Sequence, residues 1–158
     1  MSGEALPVGE SLDMIDAQVT LYPDFLSAAD SDAYFHTLVT DIDWKQETIR
    51  IFGDSVPLPR LTAWYGDAGK AYSYAGITSQ PNAWIAPLIE LKQRIEAVAG
   101  VTFNSVLLNY YRDGKDSVGW HSDDEPELGV NPVIASLSLG ATRTFQFKHD
   151  KRAILICG

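Results

Sequence analysis

The chain has 158 residues, a hydrophobic content of 46% and a formal net charge of −9. This length suits one folded domain that buries most of the surface of the unfolded chain. The acidic balance argues against broad, non-specific attraction to a phosphate backbone, so a nucleic-acid partner would need a local path of basic side chains. Cys157 is the single cysteine, which excludes a disulfide within the chain.

The organisation of the chain is simple. Residues 1–18 are polar and acidic and predict a flexible N-terminal arm, whereas residues 19–158 predict the folded domain. No apolar run reaches the length of a membrane span, and the N-terminus lacks the basic start and apolar core of a secretory signal. We therefore expect an intracellular protein, cytoplasmic or nuclear, that is monomeric and does not contact a membrane.

Two segments predict helices. Ser27 followed by Asp30 is typical of a capping box, which predicts a helix that begins there and ends near residue 40. The second predicted helix covers residues 82–99, with Asn82 as N-cap and Gly100 as C-cap. The apolar stripe predicted for this second helix contains Ile85, Leu88, Ile89, Ile95 and Val98.

The remaining segments predict short strands, some of them joined by tight turns. One reaches a hairpin tip beside Phe52, and two others are antiparallel neighbours joined at Gly140. This pattern is typical of a double-sheet barrel or jelly roll. The predicted strands cover residues 19–22, 46–52, 61–66, 103–111, 133–139, 142–148 and 153–158.

His121 and Asp123 are two residues apart, so on an extended strand both side chains project from one face. An imidazole and a carboxylate suit divalent metals, and two histidines with one carboxylate form the site of non-haem Fe(II) oxygenases. The alternative is an ordinary solvated pair beside a turn. The spacing supplies two of the three ligands that such a site needs.

Asn109 and Tyr111 also alternate along a predicted strand, on the same face as Leu107. An amide and a phenol beside an apolar side chain can hydrogen-bond a small dicarboxylic acid. A strand at the edge of a sheet, with one face in water, would carry the same residues without binding anything.

Together these motifs resemble the AlkB family of Fe(II)- and 2-oxoglutarate-dependent dioxygenases, and in particular its DNA-repair branch. The likeness covers most of the chain after about residue 22. It rests on Asn109-x-Tyr111, Asp113-Gly114, His121-Ser122-Asp123-Asp124-Glu125, residues 134–140, Phe145-Gln146-Phe147, Pro59-Arg60 and residues 65–69.

The resemblance implies an α+β, mainly β fold, with N-terminal helices packed on a double-stranded β-helix core of the jelly-roll or cupin type. It implies that His121 and Asp123 bind Fe(II) as catalytic metal ligands, and that O2 takes an open position of the metal. It also implies that 2-oxoglutarate binds to Asn109, Tyr111 and Leu107.

The family also uses a later histidine as the third ligand, followed by two arginines, one of which holds 2-oxoglutarate, and these have no counterpart here. His149 comes too early in the chain and in a polar turn. We therefore expect that the domain lacks the C-terminal strands of the family. Either the chain is a shortened form of a longer enzyme, or it is a degenerate relative that binds without turnover.

The implied function is oxidative demethylation of N1-methyladenine and N3-methylcytosine in alkylated DNA or RNA, for repair. The methyl group is hydroxylated and lost as formaldehyde while 2-oxoglutarate becomes succinate. The alternatives are a dioxygenase acting on a protein, lipid or nucleoside, and an inactive binding module. The residues expected to contact the substrate are Tyr72, Tyr74, Asp124, Glu125, Arg60 and Phe52.

Overall fold

The computed structural model describes residues 5–69, 72–74, 77–123, 128–149 and 152–157. Within these ranges the chain forms two helices and ten strands, and neither helix is long and apolar enough to cross a membrane. The elements are β1 (Glu10–Leu12), β2 (Val19–Leu21), α1 (Ala28–Asp41), β3 (Thr48–Ile51), β4 (Asp54–Pro57), β5 (Leu61–Gly66), β6 (Tyr72–Tyr74), β7 (Ile77–Ser79), α2 (Ala86–Ala99), β8 (Ser105–Tyr110), β9 (Phe145–His149) and β10 (Arg152–Cys157).

The elements group into two compact units. One unit comprises residues 1–37 and 136–158, and the other comprises residues 38–135. The described strands form antiparallel pairs, β1 with β2, β3 with β4, β5 with β8, β6 with β7 and β9 with β10. The mainly β composition with two helices is therefore confirmed, while the predicted arrangement as a double-stranded β-helix stays a prediction.

The pair of β5 and β8 is the centre of the unit formed by residues 38–135. Six residues of each strand are paired, from Leu61 opposite Tyr110 to Gly66 opposite Ser105. Residues that lie opposite each other in an antiparallel pair share a face, so Ala63 and Tyr65 lie on the face of Leu108 and Tyr110. The buried apolar residues of the unit come from this face, from the two helices and from the residue that follows α1. They are Leu38, Ile42, Ala63, Tyr65, Leu88 and Leu91.

Hydrogen bonds connect this core to the chain that follows α1. The backbone N–H of Asp43 donates to the Tyr65 hydroxyl at 2.9 Å, which gives a buried phenol its polar partner. Trp44 donates from its indole N–H to the Leu38 carbonyl at 3.2 Å and lies 5.4 Å from the Tyr110 ring, centroid to centroid. The end of α1 is thereby held beside the central strands.

The helix ends agree only partly with the sequence. The Ser27 hydroxyl accepts a hydrogen bond from the Asp30 backbone N–H at 3.1 Å, as the capping pattern predicts. Gly100 ends α2 in the left-handed conformation, also as predicted. Asn82 as N-cap is wrong, because α2 has Ile85 at that position and the Asn82 backbone instead bonds to Trp64 and Gly66.

The hairpin tip predicted near Phe52 is confirmed. Strands β3 and β4 pair from Thr48 opposite Pro57 to Ile51 opposite Asp54, which leaves Phe52 and Gly53 as the two turn residues. Both have positive φ, +50° and +86°. Such a turn matches the right-handed twist of the strands it joins. The Phe52 side chain is fully exposed.

The other unit contains two strand pairs, β1 with β2 and β9 with β10. Residues 10–12 of the predicted arm form β1, where Gly9 lies so close to the Tyr22 ring that it has no room for a side chain. Residues 133–139 do not form the predicted strand, and β9 pairs with β10 instead. Alternating apolar residues indicate a possible strand, but a strand also needs a partner backbone, and no described segment pairs with this one.

Ser27→Ala should lower the free energy of unfolding by about 1 kcal/mol, because the Asp30 N–H loses its cap. For a chain of this size, the melting temperature should fall by about 2–4 °C. Ser27→Asp is the matched control, since a carboxylate also caps the helix and should preserve stability. Equal melting temperatures for Ser27→Ala and the wild type would show that the hydrogen bond contributes nothing.

Candidate metal and co-substrate site

The outer face of β8 carries two of the residues predicted to bind a co-substrate. Burial alternates along the strand, so Val106, Leu108 and Tyr110 are half-buried while Leu107 and Asn109 are exposed. Leu107 is 63% exposed, which is unusual for leucine in a paired strand. Tyr111 follows the end of the strand and is half-buried. The structure thus presents an uncovered apolar side chain next to an amide.

Thr62 adds a buried hydroxyl to the same face. It lies opposite Asn109 in the ladder, and Trp64 lies opposite Leu107. Thr62 is 5% exposed, and its hydroxyl oxygen has no hydrogen-bond partner in the described part of the chain. Buried polar groups are normally hydrogen-bonded, so this hydroxyl is available to a bound polar group or a water molecule.

Arg60 connects this face to the segment that follows β8. Its Nε–H donates to Asn109 Oδ1 at 3.0 Å, and Nη1 donates to the Ser117 carbonyl at 3.3 Å. The Ser117 N–H donates in turn to the Pro59 carbonyl at 2.8 Å. Because the Asn109 side-chain oxygen accepts from Arg60, the Asn109 amide nitrogen points away from Arg60. Its two N–H groups can donate to another acceptor.

An arginine–carboxylate pair closes the loop after β8. Asp116 is 8% exposed and accepts hydrogen bonds from three nitrogens of Arg112. The backbone N–H and Nε donate to Oδ2, both at 2.8 Å, and Nη2 donates to Oδ1 at 3.1 Å. The hydrogen bond with Asp116 is the main reason that the pKa of Arg112 is raised above its ordinary value. Two parallel bonds of this kind also restrict orientation.

The two predicted metal ligands lie side by side. His121 and Asp123 are outside any assigned strand, yet His121 Nε2 is 3.6 Å from Asp123 Oδ1. His121 Nδ1 is 2.9 Å from the Gly119 carbonyl oxygen, which can only accept. In the neutral ring Nδ1 therefore carries the proton, and Nε2 presents its lone pair beside the carboxylate.

This arrangement fits a divalent metal. Metal-binding histidines usually donate the N–H of their other ring nitrogen to a carbonyl or carboxylate, as His121 does here. Two atoms that each lie about 2.1 Å from one cation can be separated by at most about 4.2 Å, and the two donors are closer than that. Among the described residues no group of three or more metal-binding side chains comes together, so the third ligand is absent from them.

The remaining predicted residues are distributed elsewhere. Phe52 is at the tip of the β3–β4 hairpin. Tyr72 and Tyr74 are in β6, which pairs with β7. Asp124 and Glu125 lie outside the described residues.

His149 belongs to a different grouping. Its Nε2 is 3.0 Å from Asp16 Oδ2, an interaction between β9 and the turn that follows β1. This pairing gives His149 a structural role within its own unit.

A family model described as the 2OG-Fe(II) oxygenase superfamily matches residues 18–157. The chain belongs to this superfamily. The match covers both candidate metal ligands and the whole of β8. The name of the superfamily agrees with the predicted Fe(II) and 2-oxoglutarate, with O2 as the oxidant.

The chain is also similar to named relatives. It is 51% and 50% identical to alpha-ketoglutarate-dependent dioxygenase alkB homolog 3 of Rattus norvegicus and Homo sapiens, over 133 residues, 84% of this chain. The alignments cover 44% and 46% of those proteins. It is 39% identical to DNA oxidative demethylase ALKBH2 of Homo sapiens over 131 residues, 81% of this chain and 50% of the relative. The AlkB resemblance is confirmed, and the chain spans about half the length of these curated relatives.

Sequence reasoning missed the interactions that hold this site together. The sequence predicted Arg60 as a substrate contact, whereas the structure bonds Arg60 to Asn109 and Arg112 to Asp116. No signal in the sequence marked the Thr62 hydroxyl as buried.

Arg60→Lys should weaken 2-oxoglutarate binding by roughly three- to tenfold, because lysine cannot bond to Asn109 and Ser117 together and one hydrogen bond contributes about 1 kcal/mol. Calorimetric titration of the Mn(II)-loaded chain measures the affinity. Arg50→Lys, on the exposed strand β3, is the matched control. Unchanged affinity in Arg60→Lys would mean that the orientation of Asn109 does not matter for the co-substrate.

Proposed function

We propose that this chain belongs to an enzyme that removes methyl groups from N-alkylated bases in DNA or RNA by oxidation, with Fe(II), 2-oxoglutarate and O2. The observation that carries the proposal is the pair His121 and Asp123, with the His121 ring held in the tautomer that leaves Nε2 ready to bind a metal. The relatives are named as a dioxygenase and a DNA oxidative demethylase, and these names support the same reaction for a metal bound by His121 and Asp123.

The geometry of His121 and Asp123 supports their roles as metal ligands. His121 Nε2 and Asp123 Oδ1 hold Fe(II), and the Gly119 carbonyl keeps the imidazole in orientation through Nδ1. A carboxylate beside an imidazole also balances part of the charge of a divalent cation. When bound, Fe(II) with 2-oxoglutarate and O2 supplies the oxidation that hydroxylates an N-methyl group, which then leaves as formaldehyde.

The co-substrate contacts are on the outer face of β8. Asn109 donates its amide N–H groups to a carboxylate of 2-oxoglutarate while Arg60 holds its oxygen. Tyr111 contributes a phenol and Thr62 a buried hydroxyl, and Leu107 provides an apolar surface for the methylene groups. The polar groups of this set that face the ligand are neutral hydrogen-bond donors, which suit the oxygen atoms of a carboxylate.

The substrate contacts are proposed from the resemblance and from the position of Phe52. The exposed ring on the hairpin tip inserts into a duplex in place of the base that is removed. Tyr72 and Tyr74 stack on the damaged base, and Asp124 and Glu125 face its positive charge. Arg60 donates a hydrogen bond to Asn109 in the structure. It contacts the nucleic acid only when this hydrogen bond is broken.

The wider architecture is part of the same proposal. Strands within residues 19–158 are portions of a double-stranded β-helix, and these residues form the portion of the domain that this chain contains. Residues 1–18 form an N-terminal arm, of which residues 10–12 pair with β2. The enzyme acts as a monomer inside the cell, in the cytoplasm or the nucleus, on alkylated nucleic acid.

His121→Ala should abolish the visible charge-transfer band that forms when Fe(II) and 2-oxoglutarate are added without oxygen. Formaldehyde release from an oligonucleotide with N1-methyladenine should fall by more than about 100-fold, since even the groups that support metal ligands contribute about 10–100-fold. His149→Ala is the matched control, because His149 pairs with Asp16. Full activity in His121→Ala would disprove the metal role.

The choice of substrate is tested by binding to a methylated single-stranded oligonucleotide. Binding should weaken as salt increases, because lysine and arginine contacts release counterions from phosphate. The net charge of −9 opposes binding to nucleic acid, so binding of the oligonucleotide would be informative. Absence of binding would favour a protein, lipid or nucleoside substrate.

Phe52→Ala should lower formaldehyde release from a methylated duplex about fivefold or more, because stacking of a base on an aromatic ring contributes about 1–3 kcal/mol. Release from the same single strand should change little, and this substrate is the internal control. The fully exposed ring contributes no packing, so the variant should unfold at the wild-type temperature. An equal loss on both substrates would exclude a duplex-specific role.

A further inference from the structure

Asp116 is a buried carboxylate that the proposed chemistry does not use. It and Thr62 are the buried polar side chains of the described residues, and Asp116 is the charged one. Burial of a carboxylate is unfavourable unless the group is paired and hydrogen-bonded. Here three donors from Arg112 meet that requirement. Asp116 is therefore a buried charged side chain in a loop whose other residues are exposed, and its burial depends on Arg112.

The hydrogen bonds of Asp116 close the loop between its two ends. Arg112 is the first residue after Tyr111, and its backbone N–H and guanidinium both bind the same carboxylate. Asp113 tightens the turn from within, because its Oδ1 accepts from the Lys115 and Asp116 backbone N–H groups at 2.8 and 3.3 Å. The path of the backbone from residue 112 to residue 116 is thus determined by side chains.

The same loop is attached to the rest of its unit at two further points. Arg112 Nη1 donates to Gln46 Oε1 at 3.1 Å, and Gln46 Nε2 donates to the Leu58 carbonyl at 2.8 Å. On the other side, Ser117 is bonded to Pro59 and to Arg60. Only residues 118–120 separate this attached loop from His121. The loop therefore sets where the segment with both candidate metal ligands begins.

We propose that Asp116 is a positioning residue, which orients the loop so that His121 and Asp123 reach a metal beside Asn109. This inference rests on the proposed function. It assigns to Asp116 an effect on metal affinity that acts through Arg112, without contact between Asp116 and the metal. Arg112 is the partner through which Asp116 acts, and replacement of either residue should produce the same defect.

The test compares Co(II) binding with stability in the complete chain. Asp116→Asn keeps the shape of the side chain but replaces one acceptor oxygen with an NH2 group, which cannot accept a hydrogen bond from Arg112. Arg112→Lys keeps the charge and loses the bidentate contact, and its partly exposed side chain makes misfolding less of a concern. Asp43→Asn is the control, since it removes a carboxylate from an exposed ion pair with Lys45.

We expect Asp116→Asn and Arg112→Lys to bind Co(II) about tenfold more weakly, the size of effect typical of groups that support metal ligands. The visible Co(II) spectrum should change as well, while Asp43→Asn should match the wild type in both. Wild-type affinity and spectrum in Arg112→Lys would overturn the inference. A lower melting temperature with unchanged Co(II) affinity would also overturn it, because it would show a role in stability alone.

Hydrogen exchange separates this inference from the proposed function. Measured without metal by mass spectrometry, backbone amides of residues 117–123 should exchange faster in both loop variants than in Asp43→Asn. If the wild-type chain itself does not bind Co(II), the proposed function fails for this chain, and the exchange result still decides whether Asp116 orders the segment. Unchanged exchange in both loop variants would refute the positioning role.

Discussion

The antiparallel pairing of β5 with β8 is the constraint on which the rest of the described site depends. Its register places Ala63, Tyr65 and Leu108 on a covered face and Thr62, Leu107 and Asn109 on the opposite one. A shift of one residue would exchange the two faces and move Asn109 toward the core. The same six-residue ladder therefore determines both the packing of the unit and the identity of the side chains that are available to a ligand.

Local signals in the sequence predicted the elements whose causes are local. The Ser27 cap and the Phe52 turn each depend on residues within a few positions of one another, and both agree with the structure. Predictions failed where the conformation of a segment depends on a partner that is distant in the sequence. Asn82 resembles an N-cap, but its backbone is taken by Trp64 and Gly66, and residues 133–139 resemble a strand for which no described partner exists.

The candidate site was predictable as a set of residues and less so as an arrangement. The spacing of His121 and Asp123 indicated a shared metal even though the structure shows no strand there, because residues two apart in any extended segment point the same way. The contacts of Arg60 and Asp116 were beyond sequence reasoning, since each depends on how separate segments meet. Charged side chains were assumed to face a ligand, and the structure uses several to hold the backbone instead.

The backbone at Phe52 carries a further implication. A residue other than glycine in the left-handed region costs about 1–2 kcal/mol, and Asn-Gly or Asp-Gly would form the same turn with less strain. The Phe52 ring is fully exposed, so no burial compensates for its φ of +50°. Folding alone gives no reason for an aromatic side chain in this position. The hairpin tip is accordingly less stable than an Asn-Gly turn would make it, and strained residues of this kind are often found at functional sites.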